Sequence, residues 1–137
     1  MDEVLLGKAA IIERCLRRIG EDYAGHETEF ATNLTRQDAI VLNLQRACEA
    51  AIDAAMHLVR RHALGIPTES REAFTMLVRN DLLTEELGEH LQAMVGFRNV
   101  ALHNYRELDI EIPRRILSDR LVDLERFARL LVERATR

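Results

Sequence analysis

At 137 residues, 47% of them apolar and 31% charged, the chain has one domain's length and enough apolar matter to bury a core, which excludes intrinsic disorder and a disulfide-built scaffold. Of its 19 cationic side chains only Lys8 is a lysine and the rest are arginines, yet the formal net charge is −4, which excludes a protein that coats nucleic acid by charge alone. No apolar run is long enough to span a membrane and Met1-Asp2-Glu3 lacks the basic start of a signal peptide, so a cytoplasmic protein without membrane association is expected.

The periodicity is helical throughout, with no alternating stretch long enough for a strand. A first helix is predicted over residues 2–20, with Leu5, Ile12, Leu16 and Ile19 on one stripe and Gly20 placed to end it. Residues 20–34 read as a loop or broken turn. Thr35-x-x-Asp38 then resembles a capping box opening a long second helix to about Leu64, closed by Gly65 and Pro67. A short third helix is predicted over 70–80, and Thr84 caps a fourth running to about Tyr105. Pro113 suits the first turn of a fifth, with Leu117, Leu121, Leu124, Ala128 and Leu131 facing the interior. The reading is a single all-α domain over residues 1–137, an up-and-down bundle of about five helices.

Cys15 and Cys48 sit among apolar neighbours and read as reduced core thiols. With no Cys-x-x-Cys and no His-Glu-x-x-His, no metal site and no cofactor are expected. Residues 114–137 carry seven arginines against four acids, so a positive surface on an acidic body is expected there. On the second helix Ile40, Leu44, Ala47, Ala51, Ala55 and Leu58 form an apolar arc, opposed by Asn43, Arg46, Glu49, Asp53, His57 and Arg60. That polar strip reads either as a solvated, ion-paired face or as the border of a cleft.

The residues with chemistry lie in Gly96-Phe97-Arg98-Asn99-Val100-Ala101-Leu102-His103-Asn104-Tyr105. On a continuous helix Arg98 and Tyr105 share a face, Asn99 and His103 share another, and the arginine's length lets its guanidinium swing toward His103. Such a pair can address one phosphodiester, with histidine moving a proton and arginine standing beside the charge that develops on the phosphoryl oxygens. RNA brings its own nucleophile in the 2′-hydroxyl, so its cleavage requires proton transfer and charge stabilisation but no metal. One histidine cannot both take a proton from that hydroxyl and give one to the leaving 5′-oxygen, which favours a symmetric dimer presenting two copies. The spacing fits equally a helix-end cation, a hydrogen-bonded imidazole and a snorkelling phenol with only structural roles. Gly88 and Gly96 each cost about 1 kcal/mol inside a helix relative to alanine, and the close approach of a second helix is the simplest use for them.

Arg98-Asn99-x3-His103 resembles the Arg-x4-6-His motif of the HEPN superfamily, and Arg98-x4-His103-x-Tyr105 resembles its HepT branch. Asp38-x4-Asn43-Leu44, Leu64-Gly65-x-Pro67, Arg71-Glu72-Ala73-Phe74 and Met94-Val95-Gly96-Phe97 are similar to that branch in order and spacing. The resemblance implies an all-α homodimer with a composite cleft that acts as a metal-independent endoribonuclease. It further implies the toxin of a type VII-like toxin-antitoxin pair, whose partners are an RNA substrate and a cognate MntA-like nucleotidyltransferase antitoxin. By the same resemblance Arg98 and His103 are catalytic, Asn99 orients, and Tyr105 accepts AMP units that mask the cleft. Asp38, Asn43 and Asp53 are then expected to line it. The alternative is a non-catalytic helical accessory subunit of a minimal nucleotidyltransferase, in which Arg98 and His103 only grip a phosphate.

Overall fold

In the computed structural model, which describes residues 1–137, six helices follow in order: α1 (Glu3–Tyr23), α2 (Leu34–Arg61), α3 (Ser70–Arg79), α4 (Glu85–His103), α5 (Glu111–Asp119) and α6 (Leu121–Ala135). Short 3-10 turns at Glu27–Glu29 and Tyr105–Glu107 complete the regular structure, and there is no strand. The long α2 is central, packed on α1, α3, α4 and α6, while α1 also packs on α6. Its run of Ala47, Ala50, Ala51, Ala54 and Ala55, all buried, gives α2 the thin profile that neighbours on several sides require. Phe30, Phe74 and Phe127 are the largest fully buried side chains, and Phe74 meets Phe127 edge-on at 5.9 Å between ring centroids. The buried apolar residues form one continuous core, which takes in both cysteines as free thiols. No helix is long and apolar enough to cross a membrane.

Away from α4, helix ends depart from expectation in four places. α1 runs through Gly20 to Tyr23, because its apolar stripe still faces α2 there and Gly20 keeps helical geometry. α2 starts two residues earlier than a Thr35 cap would allow: Asn33 caps it, its side-chain oxygen accepting the Arg36 amide at 3.1 Å. At the other end α2 stops at Arg61 rather than Leu64. Ala63 takes the left-handed conformation (φ 51°), and the Leu64 amide reaches back to the Val59 carbonyl. The predicted fifth helix is two helices, since Arg120 (φ −123°, ψ −2°) breaks the chain between α5 and α6, making six in all.

Both glycines face α3, a close approach of a second helix within the chain. A Cβ on Gly88 would stand 2.5 Å from Val78 Cγ2 on α3, and one on Gly96 would stand 2.8 Å from the end of the Arg71 side chain, also on α3. Asp2 fastens the chain ends together. It caps α1 through the Val4 and Leu5 amides, accepts from His57 Nε2 at 2.8 Å, and pairs with Arg61, whose guanidinium also reaches the Arg134 carbonyl of α6. Burial pushes the Asp2 carboxyl up, but the His57 and Leu5 hydrogen bonds and the charges of His57 and Arg61 outweigh it and hold the group below its ordinary value.

Candidate functional site

α4 begins as expected, with Thr84 Oγ accepting the Leu87 amide, but it ends at His103 rather than Tyr105. Asn104 leaves helical geometry (φ −152°, ψ 54°), and Tyr105 opens the following 3-10 turn. Tyr105 therefore does not share a helical face with Arg98. The break turns its phenol onto the N-terminal part of α2, where the hydroxyl donates to Asp38 Oδ1 at 2.5 Å. Partial burial, together with the hydrogen bond to Asp38 and that carboxylate's charge, pushes the phenol up to about 12 from 10.0. Asp38 is available for this contact because Asn33, not Thr35, caps the helix.

Arg98 does not swing toward His103. Its Nη1 donates to Glu49 Oε2 at 2.6 Å and its Nη2 to Ser70 Oγ at 3.2 Å, so one side chain of α4 ties α2 to the start of α3. The side chain is only 13% exposed, and its Nε is buried without a hydrogen-bond partner. A buried N–H left unpaired costs about 1–3 kcal/mol, a cost that locates Arg98 as a strained position. His103 is exposed and its imidazole makes no hydrogen bond within the chain, and Asn99 beside Arg98 is half-buried.

Because Asp38 binds Tyr105 and Glu49 binds Arg98, α2 and α4 run antiparallel with the candidate residues along their junction. The two anchor points on α2 are eleven residues apart, about 16 Å along its axis. Of the other residues expected near a cleft, Asn43 is buried on the α1 side of α2, its amide donating to the Ala39 carbonyl at 3.0 Å. Asp53 pairs with Lys8 of α1 at 3.2 Å and makes no hydrogen bond to the motif residues. The polar strip of α2 is thus shared out: Glu49 to Arg98, Asp53 to Lys8, His57 to Asp2. Glu49 was visible in that strip; Ser70 gave no signal beyond standing at the start of a helix.

His103 and Tyr105 are exposed, so on a single chain that end of the motif lies on an open face, with Arg98 half-buried beside it. Apolar side chains surround it: Leu42, Val100 and Leu102 are all exposed. No group of three or more His, Cys, Asp or Glu side chains is placed to hold a metal ion.

Residues 12–131 match the family described as HepT-like, ribonuclease HepT-like. A curated relative, the mRNA nuclease HepT of Shewanella oneidensis, is 44% identical over 127 residues, covering 93% of this chain and 95% of its own. Among solved structures, a tri-AMPylated Shewanella oneidensis HEPN toxin in complex with an MNT antitoxin superposes with a TM-score of 0.90 at 42% identity, covering 97% of this chain and 99% of that one. A toxin-antitoxin structure with AMP-PNP gives a TM-score of 0.90 at 40% identity, covering 96% and 99%.

Proposed function

The chain belongs to the HepT-like ribonuclease family, and from that premise we propose that it is the toxin of a toxin-antitoxin pair: an endoribonuclease that cuts RNA in the cytoplasm and is silenced when a nucleotidyltransferase antitoxin attaches AMP to Tyr105. The observation that carries the reading is the junction of α2 and α4, where the two motif side chains that need fixing are fixed: Arg98 by Glu49 and Ser70, Tyr105 by Asp38.

In the cutting reaction the RNA 2′-hydroxyl oxygen bonds to the adjacent phosphorus and the bond to the 5′-oxygen breaks, leaving a 2′,3′-cyclic phosphate and a 5′-hydroxyl. One His103 takes the proton of the 2′-hydroxyl and a second His103, from the other protomer of a dimer, gives a proton to the leaving oxygen. Arg98 stands beside the phosphoryl oxygens as charge grows on them, its plane set by Glu49. Asn99, next to it, orients the phosphate. The open face of the motif and the exposed Leu42, Val100 and Leu102 around it support a second copy of the chain as the other wall of the cleft.

In the silencing reaction the Tyr105 oxygen bonds to the α-phosphorus of ATP held by the antitoxin, and pyrophosphate leaves. Asp38, already accepting the hydroxyl hydrogen, takes the proton. Added AMP places an anion at the edge of the phosphate site, two residues from His103.

Expression of the chain alone should arrest growth, and co-expression with its antitoxin should relieve the arrest while adding mass in AMP-sized steps. Tyr105→Phe should stay unmodified and remain toxic in the presence of the antitoxin. A Tyr105→Phe chain that still gains AMP would overturn the assignment of the acceptor, and harmless expression of the unmodified wild type would overturn the toxin reading.

A further inference from the structure

Away from the α2/α4 junction the chain holds a cluster of cations that form no ion pair. Arg14, Arg17 and Arg18 stand at helical spacing on α1 and, with Ala39 and Asn43 of α2, line a hollow of about 570 Å³ between the two helices. Arg46 lies just short of one turn beyond Asn43, and it, Arg14 and Arg18 are the cations whose charge acts on Cys15 buried beneath them, so guanidiniums of both helices converge there. All four are exposed, and none lies within 4.0 Å of a carboxylate. Glu21 and Asp22 also line the hollow, without an ion pair to these arginines, and Arg36 reaches the Asp22 carbonyl.

The C-terminal segment, which holds the larger excess of arginine in the sequence, behaves differently. There Arg114 pairs with Glu111, Arg126 with Glu86 and Asp123, and Arg129 with Glu125. Unpaired guanidiniums crowded on one surface repel one another, and each presents a fork of donors that matches two oxygens of a phosphate. The hollow has no aromatic side chain on which a base could stack, so what it offers is backbone recognition without sequence preference. Its position relates it to the candidate site. Ala39 and Asn43 lie within about one and a half turns of Asp38, rotated by roughly 100–140° around α2, so the hollow borders the flank of the segment that holds Tyr105.

We propose that the α1/α2 hollow is a track for the phosphate backbone of single-stranded RNA, gripping the substrate on one side of the bond that is cut, with Arg14, Arg17, Arg18 and Arg46 as its contacts. The proposal rests on the ribonuclease reading for the identity of the nucleic acid.

The test is direct binding in a His103→Ala background, so that bound RNA is not consumed. Fluorescence anisotropy with a labelled single-stranded RNA is measured across a salt series for this chain and for the same chain carrying Arg14→Gln, Arg17→Gln and Arg18→Gln. Each phosphate contact contributes about 0.7 to the slope of log affinity against log salt for a single strand, so the triple variant should flatten that slope by about 2 and lose at least roughly tenfold in affinity at low salt. A matched variant, Arg60→Gln with Arg79→Gln and Arg137→Gln, removes the same charge elsewhere and should leave the slope near that of the parent. Lysine at positions 14, 17 and 18 should restore most of the slope and confirms that a folded chain is being read.

An unchanged slope in the glutamine variant overturns the proposal, as does an equal loss in the matched variant. Intact RNA binding with lost capture of the antitoxin overturns it too, by assigning the hollow to a protein partner. Since binding is read without cleavage, a wild type that binds but never cuts RNA would sink the ribonuclease reading and leave this result standing.

Discussion

Tyr105 illustrates what a single residue owes to the fold around it. Its hydroxyl is set on Asp38, and the neutral phenol is the form this contact favours, so the carboxylate holds the proton in place until a stronger demand removes it. A phenol pushed up in the folded chain contributes its stabilisation fully below the ordinary value of 10.0 and loses it as pH rises through about 12. The tyrosinate absorbance that disappears in Tyr105→Phe should therefore titrate near the upper value, and Asp38→Asn should bring it down toward 10.0. A Tyr105 signal that titrates at the ordinary value in the wild type would contradict the contact. Arg98, His103 and Tyr105 were legible because a spacing within eight residues survives in the sequence. Their pairing with fixing partners was not: Glu49 stood in the polar strip and Asp38 was expected at the cleft only by resemblance, while Ser70 gave no signal, and at 49, 67 and 28 residues' distance only the packing of α2 against α3 and α4 brings them in. Asp38 was also masked by a local explanation, since a carboxylate three residues after a threonine is an equally good capping signal.

At the scale of helices, starts were more legible than ends. Thr84 caps α4 as its sequence announces, because a cap is a contact among neighbours. The breaks at Asn104 and Arg120 carry no glycine or proline, so nothing local marks them, while that at Ala63 falls two residues ahead of the Gly65 that announces it. They occur where the core runs out on one side and the next helix must start in a new direction. The two glycines of α4 separate two meanings of small residues. Alanine at either position gains about 1 kcal/mol of helix propensity. At Gly88 the new methyl meets a stiff, β-branched Val78 at 2.5 Å, an overpacking cost of about 1–3 kcal/mol. At Gly96 it meets the far end of a flexible arginine, which can move aside. Denaturant midpoints should thus order Gly96→Ala at or above the wild type and Gly88→Ala below Gly96→Ala. The reverse order would show that the α3/α4 contact is not as close as the structure has it.

For the whole molecule, the distribution of charge matters more than its total. The net −4 excludes a coat of nucleic acid, yet four unpaired arginines stand together where their sequence neighbours gave least reason to look, on the α1/α2 surface of an acidic segment. In the C-terminal segment three of the seven arginines, Arg114, Arg126 and Arg129, are paired, within their own helices and with Glu86. Fold class was legible from periodicity alone, and the α2/α4 junction from a motif, but the open face of that junction becomes visible only in three dimensions. In the proposed function, Arg98 held by α2 and the exposed His103 make a working site when a second chain closes the cleft, and cleavage by His103 is the proposal on which the rest depends. The most direct measurement is the cutting of RNA by the purified chain in the presence of a chelator, comparing wild type with His103→Ala. The account predicts cleavage that leaves 2′,3′-cyclic phosphate ends in the wild type and a rate lower by at least about a hundredfold in the variant. Retained cutting by His103→Ala, or a wild type that cuts only when divalent metal is supplied, would contradict it.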